Sequence, residues 1–503
     1  MASATITRPA PGPDPAAGRR SRRWSWPVLA LVALALGTLV GFLIYPTYPN
    51  YDSYYSLLWG RELLHGVKPS FDGYRTPTEH PLAVAFGALL SILGDPADRI
   101  MVGATLASFV VLAAGLYRLA RASFGTLVGL AAAALLCTRF DFPFLAARGY
   151  IDIPYLAFVM WAAALESERP RRGTAVFVLL ACAGLMRPEA WLLSGLYWLW
   201  CIVPIGSHPP TPTWPQRIRY SVLTGAPPVI WTALDWWATG DPKFSLTHTS
   251  GLAEELGRTS GGLADVPSTT VKFLKGLDKV PVFYAGILGL VIAVILTPRR
   301  ARMPLALLVV GLGTFVLVGL AGLSVIDRYL LVPSLVVMVF AGVALAGWTM
   351  LRSGRARTAW AVGSVALVIY GVAFTATRVN LSTFTNELTF RGDSHASLRA
   401  LLDDPKVRAA LRCGPVSTPN HKLIPDTRWL LDASAGKVIA RSDASQRSRI
   451  GRGVAIYAVN RLSLLRSGFT VGDDSTEDTF NSIPMPGFTR LAFTSYYSAY
   501  VRC

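Results

Sequence analysis

Two aspartates in this sequence stand beside long apolar segments. Asp52 lies in the stretch Tyr-Pro-Asn-Tyr-Asp-Ser-Tyr-Tyr, and Asp152 lies in Arg-Gly-Tyr-Ile-Asp-Ile-Pro. A carboxyl group that is partly desolvated among aromatic side chains has a raised pKa and is a better proton acceptor. The pattern therefore predicts acid–base chemistry. The alternative is that Asp52 caps a helix beginning near Ser53 and that Asp152 caps a helix whose first turn contains Pro154.

Other polar and aromatic residues occur close to these aspartates or at the ends of further apolar runs. The tyrosines can stack on a sugar or can anchor the chain at a membrane interface. Charged groups at membrane depth are costly and are therefore often functional. The candidate substrate-binding residues are Tyr51, Tyr54, Tyr55, Glu79, His80, Arg148, Arg187 and Glu189.

Arg328 and Tyr329 begin another apolar run. A guanidinium group offers forked donors that match the oxygens of a phosphate, so Arg328 is a candidate for binding a lipid phosphate. It can equally pair with Asp327 or with the head-group region of the bilayer.

The composition indicates which elements must position these residues. The chain has 503 residues, of which 52% are hydrophobic and only 16% are charged, and its mean hydropathy is +0.42. Soluble domains carry about 25% charged residues, so the composition indicates a membrane protein. The 14 Trp and 34 Pro exclude a simple coiled coil and a disordered chain.

The net charge of +18 indicates how the chain is oriented in the membrane. Five arginines precede the first apolar run, Trp26 to Pro46, and basic residues mark the cytoplasmic side of a membrane protein. The run is long enough to span and lacks a clear cleavage site, so we interpret it as a retained helix. The amino terminus is then cytoplasmic, and nucleic acid is not an expected partner.

The hydropathy pattern predicts about eleven membrane spans and one juxtamembrane helix in a mainly α polytopic bundle. The juxtamembrane helix is expected at His80 to Gly94, because that apolar run is too short to cross. The remaining apolar helices are expected at about 100–118, 125–140, 153–166, 174–187, 190–205, 220–238, 282–297, 304–323, 328–349 and 359–377.

Three parts of the chain follow from this topology. Residues 1–25 form a basic cytoplasmic segment, and residues 26–377 form the membrane module with outer loops 47–99 and 239–281. Residues 378–503 form a small extracytoplasmic α+β domain, with a helix at Ser397 to Leu411 and strands near 437–441, 453–459 and 490–501. The glycine-rich loop 239–281 is either a mobile lid or a passive connector.

Cys413 and Cys503 both lie in this C-terminal domain, on the oxidising side of the membrane. We expect a disulfide between them; the alternative is two free thiols. The other three cysteines, Cys137, Cys182 and Cys201, lie in apolar helices, where a small buried role is expected.

In its order of motifs and their sidedness, the chain resembles the type-C glycosyltransferases, a polytopic superfamily that includes protein O-mannosyltransferases and aminoarabinose transferases. The resemblance covers roughly residues 27–350. The matching elements are Asp52 in a long outer loop followed by a juxtamembrane helix, the turn Arg121–Gly125, Asp152, Arg187-Pro-Glu and Arg328-Tyr-Leu-Leu-Val-Pro.

This resemblance implies a glycosyltransferase of the cell membrane that takes a sugar from a polyprenyl-phosphate donor. Asp52 would be the general base and Asp152 would help to position a substrate, while Arg328 and Tyr329 would bind the donor phosphate. The anomeric centre would be inverted. The acceptor would be an envelope glycan, a glycolipid or a protein.

Cofactor chemistry has little support in the sequence. Some relatives use a divalent metal held by two acids that are one residue apart, and neither Asp52 nor Asp152 has such a neighbour. No glycine-rich nucleotide loop follows a predicted strand. We therefore expect no cofactor, although a divalent metal remains an alternative.

Two other classes of protein share parts of this pattern. A secondary transporter also has many spans, but it places ionisable residues near the membrane centre and carries internal repeats. A non-catalytic envelope-assembly protein would bind its partners through the C-terminal domain. Loss of sugar transfer in an Asp52→Asn variant separates the enzyme from both alternatives.

Overall fold

The computed structural model describes residues 26–204, 212–255, 265–323, 325–378, 381–466 and 483–503. The predicted amino-terminal segment 1–25 lies outside these ranges, as do residues 256–264 of the predicted lid. The described chain forms a large helical membrane module and a smaller C-terminal domain that contains one sheet.

Each predicted apolar segment corresponds to a helix of the membrane module, with ends that differ by up to six residues. Four further helices were not among the predicted segments: Tyr51–Leu64, Asp141–Ala147, Phe244–Glu255 and Val266–Asp278. The bounds of the helices of the module are α1 Trp26–Ile44, α2 Tyr51–Leu64, α3 Pro81–Ser91, α4 Ala97–Phe124, α5 Thr126–Thr138, α6 Asp141–Ala147, α7 Asp152–Glu168, α8 Thr174–Gly184, α9 Glu189–Ile202, α10 Trp214–Thr239, α11 Phe244–Glu255, α12 Val266–Asp278, α13 Val280–Leu296, α14 Pro298–Leu320, α15 Leu331–Ala346 and α16 Arg355–Arg378.

Five helical segments of the described chain are long and apolar enough to cross a bilayer, and seven if two sharply bent helix pairs each count as one span. The protein is therefore a multi-pass membrane protein, but the expected number of eleven spans is not confirmed. In the segment Asp327–Met350, which contains α15, 94% of the most apolar 18-residue stretch is buried. This segment forms the centre around which the other helices pack.

The close packing of α2 on α3 positions the aspartate of the first loop. A Cβ atom on Gly60 would lie 2.2 Å from the backbone nitrogen of Ala88, and one on Gly87 would lie 2.3 Å from the carbonyl oxygen of Ser56. Only glycine allows the two backbones to approach so closely. The helix that carries Asp52 is thereby held against the predicted juxtamembrane helix.

The C-terminal domain contains a five-stranded sheet with the order β2-β1-β3-β5-β4, in which β1 is parallel to β2 and β3, and β5 is antiparallel to β3 and β4. Its bounds are α17 Leu381–Asp403, α18 Pro405–Ala410, β1 Val416–Thr418, α19 Ile424–Leu430, β2 Val438–Ala440, α20 Ala444–Arg447, β3 Gly453–Ala458, α21 Arg461–Arg466, β4 Thr489–Phe493 and β5 Tyr497–Arg502.

Two predicted elements of this domain differ from the structure. The helix expected at Ser397 to Leu411 is interrupted, because Asp404 caps a new helix in which Pro405 is the first residue. The strand expected at 490–501 is a pair of antiparallel strands, β4 and β5. The α+β class itself agrees with the prediction.

Candidate active site

Hydrogen bonds join the two loops that carry the aspartates. The backbone N–H of Asn50 donates to the carbonyl oxygen of Arg148 (2.7 Å), and the Ser53 hydroxyl donates to the carbonyl oxygen of Gly149 (2.6 Å). Gly149 has a φ of +67°, which favours glycine at this turn. The start of α2 is therefore fixed beside the start of α7.

Neither aspartate occupies the helix cap that the alternative interpretation assigned to it. Asn50 is the cap of α2, and its side-chain oxygen accepts a hydrogen bond from the backbone N–H of Ser53 (3.0 Å). The cap position of α7 is Ile151, which has no capping side-chain bond. Both carboxylates instead contact arginines.

Five charged side chains form a continuous chain, which we call the charged floor: Asp52, Arg328, Asp152, Arg187 and Glu189. Nη1 of Arg328 lies 3.2 Å from Oδ2 of Asp52 and 3.5 Å from Oδ2 of Asp152. The other oxygen of Asp152 pairs with Nη1 of Arg187. Nη2 of Arg187 lies 2.7 Å from Oε1 of Glu189. Negative and positive groups thus alternate.

Exposure changes along this chain of charges. The Asp152 side chain is fully buried, whereas those of Asp52 and Arg328 are 17% and 30% exposed. Among the described residues, the hydrogen bonds that the Arg328 guanidinium donates come from Nη1. Its Nε and Nη2 therefore remain available to bind an anion. Pairing of Arg328 with Asp327, the alternative that the sequence left open, has no support, because among the described residues the ion pairs of Arg328 are with Asp52 and Asp152.

A cavity of about 460 Å³ lies above the charged floor. This volume is in the usual range for a small-ligand site. Seven predicted site residues line the cavity: Tyr51, Asp52, His80, Arg148, Arg187, Arg328 and Tyr329. Asp152 and Glu189 lie behind this lining and hold the arginines.

Besides Glu189, three predicted substrate-binding residues do not line the cavity. Tyr54 and Tyr55 are buried in a hydrophobic cluster on the packed face of α2. The Tyr54 hydroxyl donates to Asp98 (3.1 Å). The Glu79 carboxylate accepts from the Ser245 hydroxyl (2.6 Å). The helical phase of α2 and the turn before α3 direct these side chains away from the cavity.

His80 lines the cavity beside the charged floor. Burial lowers the pKa of its imidazole to about 4, although Asp52 acts in the opposite direction. The ring is therefore neutral near pH 7. Among the described residues, its buried Nδ1 has no hydrogen-bond partner.

The C-terminal domain supplies part of the cavity, which the sequence did not reveal. Asp426 lies on α19, and the residues just before this helix follow the carboxyl end of β1. Polar residues after the carboxyl end of a parallel strand are a known signal for ligand sites, but β1 was not predicted. The contributed residues are Arg391, His421, Lys422, Leu423, Asp426 and Tyr497.

Buried polar contacts hold the C-terminal domain against the membrane module. Nη2 of Arg428 on α19 lies 2.5 Å from Oε1 of Glu62 on α2, and both side chains are nearly buried. His395 on α17 stacks on Tyr48 with ring centroids 4.3 Å apart. Cys413 and Cys503 form a disulfide, with Cα atoms 5.0 Å apart.

The described part of the predicted lid contacts the loop 47–99 through α11. Nε and Nη2 of Arg75 both donate to Oε1 of Glu255 (3.0 and 2.7 Å), and the hydroxyls of Thr78 and Thr249 are 2.6 Å apart. Ser245 joins Glu79 to Asp235. Burial and the adjacent Asp235 raise the pKa of Glu79 well above its usual value. The lid hypothesis itself stays a prediction.

Within the described ranges, no group of three or more His, Cys, Asp or Glu side chains could hold a metal ion. At the charged floor, two arginines separate the three carboxylates. This alternation does not provide the cluster of oxygen ligands that a hard divalent cation requires.

No protein-family model and no curated protein matches this sequence. Solved structures do match. The chain is similar to ArnT from Cupriavidus metallidurans bound to undecaprenyl phosphate, with a TM-score of 0.55, 13% identity and coverage of 94% of this chain and 97% of that chain. ArnT in the apo state gives a TM-score of 0.53 at 14% identity, with the same coverage.

The apo Archaeoglobus fulgidus oligosaccharyltransferase gives a TM-score of 0.49 at 11% identity, and the match covers 94% of this chain and 74% of that chain. The similarity to ArnT extends over nearly the whole length of both chains. The chain therefore shares the fold of the two ArnT structures.

Proposed function

We propose that the protein is an integral membrane glycosyltransferase that moves a sugar from a polyprenyl-phosphate donor to an acceptor hydroxyl, on the extracytoplasmic face of the cell membrane. The observation that carries this proposal is the position of Arg328. Its guanidinium lies between Asp52 and Asp152 at the base of a cavity and keeps Nε and Nη2 available.

Asp52 acts as the general base in this mechanism. Its carboxylate takes the proton of the acceptor hydroxyl, whose oxygen attacks the anomeric carbon of the donor sugar from the side opposite the phosphate. The new C–O bond forms as the bond from the anomeric carbon to the phosphate oxygen breaks. The electron pair leaves with the polyprenyl phosphate, and the anomeric centre is inverted.

Arg328 stabilises the departing phosphate through its forked donors. Tyr329 lies beneath Arg187, whose guanidinium carbon is 5.1 Å from the tyrosine ring centroid, and lines the same part of the cavity. Asp152 and Glu189 are positioning residues, because their carboxylates hold the two arginines from behind. A preorganised guanidinium needs little rearrangement as negative charge develops.

The lipid part of the donor can lie within the bilayer. A predominantly apolar groove of about 950 Å³ runs between helices α5, α13, α15 and α16. Its wall extends from Leu127 near the start of α5 to Thr138 at its end. The ArnT structure of similar fold was solved with undecaprenyl phosphate, which supports a donor of this class.

The proposal is tested with purified protein and a panel of polyprenyl-phosphate sugars, by measuring release of polyprenyl phosphate and the anomeric configuration of the product. We expect Asp52→Asn to lower the transfer rate at least about 100-fold, because the amide cannot take the proton. Asp95→Asn is the matched control, since Asp95 is exposed in the same loop.

Transfer by Asp52→Asn at the parental rate would exclude Asp52 as the base. Retention of the donor's anomeric configuration would exclude the single displacement. If the parental protein uses no donor of the panel, the proposed glycosyltransferase activity is contradicted.

A further inference from the structure

One wall of the cavity differs from its floor. Arg148, at the end of α6, and Asp426, on α19 of the C-terminal domain, both line the cavity. Their exposed fractions are only 7% and 6%. The two side chains come from different parts of the protein, so the wall exists only when the C-terminal domain is docked.

Neither of these buried charges is neutralised by an ion pair within the described residues. Nη1 of Arg148 is buried and has no hydrogen-bond partner, while its guanidinium carbon lies 4.0 Å from the centroid of the Tyr48 ring. A buried polar atom without a hydrogen-bond partner is costly, and so is a buried carboxylate without a cation close to it. A ligand that supplies both a hydrogen-bond donor and an acceptor would remove this cost.

The behaviour of Asp426 agrees with this geometry. Burial raises the pKa of its carboxyl to about 7, even though Arg148 acts in the opposite direction. The carboxylate therefore lacks the close cation that would keep it fully ionised at neutral pH.

Aromatic rings flank the same wall. Tyr51 and His421 meet edge to face with centroids 5.6 Å apart, and both line the cavity. The Tyr51 hydroxyl donates to the carbonyl oxygen of Arg75 (2.8 Å), which fixes the ring. Aromatic side chains provide rigid apolar surface next to polar anchors.

We propose that Arg148 and Asp426 form the acceptor subsite and that the acceptor is a saccharide. Each sugar hydroxyl both donates and accepts, so neighbouring hydroxyls of one ring can donate to Asp426 and accept from Arg148. The apolar face of the ring packs on Tyr51 and His421. A serine or threonine side chain offers a single hydroxyl, and that hydroxyl is consumed as the nucleophile.

This inference rests on the proposed function. Two measurements, donor hydrolysis and sugar transfer, distinguish failure of the acceptor subsite from failure of the proposed function. Hydrolysis of the donor by water requires the charged floor but no acceptor, whereas transfer requires both. The purified full chain is assayed with the polyprenyl-phosphate donor panel and two sets of acceptors: octyl glycosides of mannose, galactose and arabinofuranose, and peptides containing serine and threonine.

We expect Asp426→Asn to raise the KM for the octyl glycoside about tenfold or more, because a charge-assisted hydrogen bond is lost. Donor hydrolysis and the donor KM should stay at the parental values, which also demonstrates that the variant is folded. Arg148→Gln tests the opposite side of the subsite by the same readouts. Asp393→Asn is the control, because Asp393 is an exposed aspartate on α17 of the same domain.

An unchanged glycoside KM in both Asp426→Asn and Arg148→Gln would overturn the subsite while leaving the proposed function intact. Transfer by the parental protein to peptides but not to glycosides would overturn the saccharide acceptor. If the parental protein neither hydrolyses nor transfers from any donor, the proposed function fails and the subsite fails with it.

Discussion

The floor and the wall of the cavity handle buried charge in opposite ways. On the floor, Asp52, Arg328, Asp152, Arg187 and Glu189 alternate in sign and neutralise one another at short distances. On the wall, Arg148 and Asp426 are more than nine-tenths buried, and within the part of the chain that the structure describes no ion pair neutralises either group. The paired floor is organised before any ligand arrives, whereas the wall lacks partners that a ligand can supply.

The two regions also differ in origin. All five floor residues belong to the membrane module, and they lie at the ends of its helices. The wall needs α19 of the C-terminal domain as well. Substitutions in the floor, in the wall and in the contacts between the two parts of the protein should therefore have different effects.

The largest effect is expected from Arg428→Met, which leaves the Glu62 carboxylate buried without its partner. Removing one partner of a buried ion pair lowers the free energy of unfolding by about 3–5 kcal/mol. We expect the C-terminal domain to undock or unfold at lower denaturant concentration, as followed by protease cleavage of the purified full chain. The double variant Glu62→Gln, Arg428→Met is the control. A single variant as stable as the parental protein would contradict the docking role.

Arg328→Ala tests the floor. We expect kcat/KM for transfer to fall about 100- to 1000-fold, which is typical when one preorganised donor at a developing charge is removed. Arg328→Lys should recover only part of the activity, because an ammonium group cannot form the forked contact. Arg449→Ala, at an exposed arginine of the C-terminal domain, controls for charge. Equal rates for the alanine variant and this control would exclude Arg328 as the phosphate ligand.

Asp152→Asn should have a smaller effect, because its carboxylate acts through Arg187 and Arg328. We expect kcat to fall about 10- to 100-fold with little change in the acceptor KM. A double-mutant cycle with Arg328→Lys should reveal strong coupling, since both changes affect one ion pair. Strictly additive losses would contradict a positioning role.

The smallest effect concerns the pH dependence of acceptor binding. Because the pKa of Asp426 is raised to about 7, its carboxylate fraction increases between pH 6 and pH 8. A carboxylate accepts a stronger hydrogen bond than the neutral acid does, so the acceptor KM should fall severalfold as the pH rises through 7. In Asp426→Asn this slope should disappear, and its persistence would assign the titration to another group. The charged and titratable neighbours are Arg148, Arg391, Asp98, Tyr54, Tyr55 and Tyr497.

Much of the floor could be predicted because its residues occur at interruptions of apolar runs. A charge is costly inside a bilayer, so Asp52, Asp152, Arg187 and Arg328 stand out in such a sequence. Their pairing was not predictable, because it depends on how the ends of α2, α7 and the segment before α15 meet. The sequence also left open whether Arg328 pairs with Asp327.

Tyr54, Tyr55 and Glu79 illustrate the opposite case. They have the residue types of a binding site and lie close to Asp52 in the chain, but α2 buries Tyr54 and Tyr55 against neighbouring elements, and Glu79 contacts Ser245. In a helix, successive side chains are separated by about 100°. Sequence proximity therefore does not decide which of them face a cavity.

By itself, the sequence determined the class of the molecule. Three features carry this information: apolar runs of spanning length, basic residues before the first run, and acids at the ends of runs. Each follows from the high cost of placing polar groups in hydrocarbon, so each can be recognised in a short stretch of sequence. Only the tertiary structure decided that Arg328 lies between two aspartates and that Asp426 and Arg148 line the same cavity. These contacts join residues far apart in the chain, and they depend on helix phase and on the docking of the C-terminal domain.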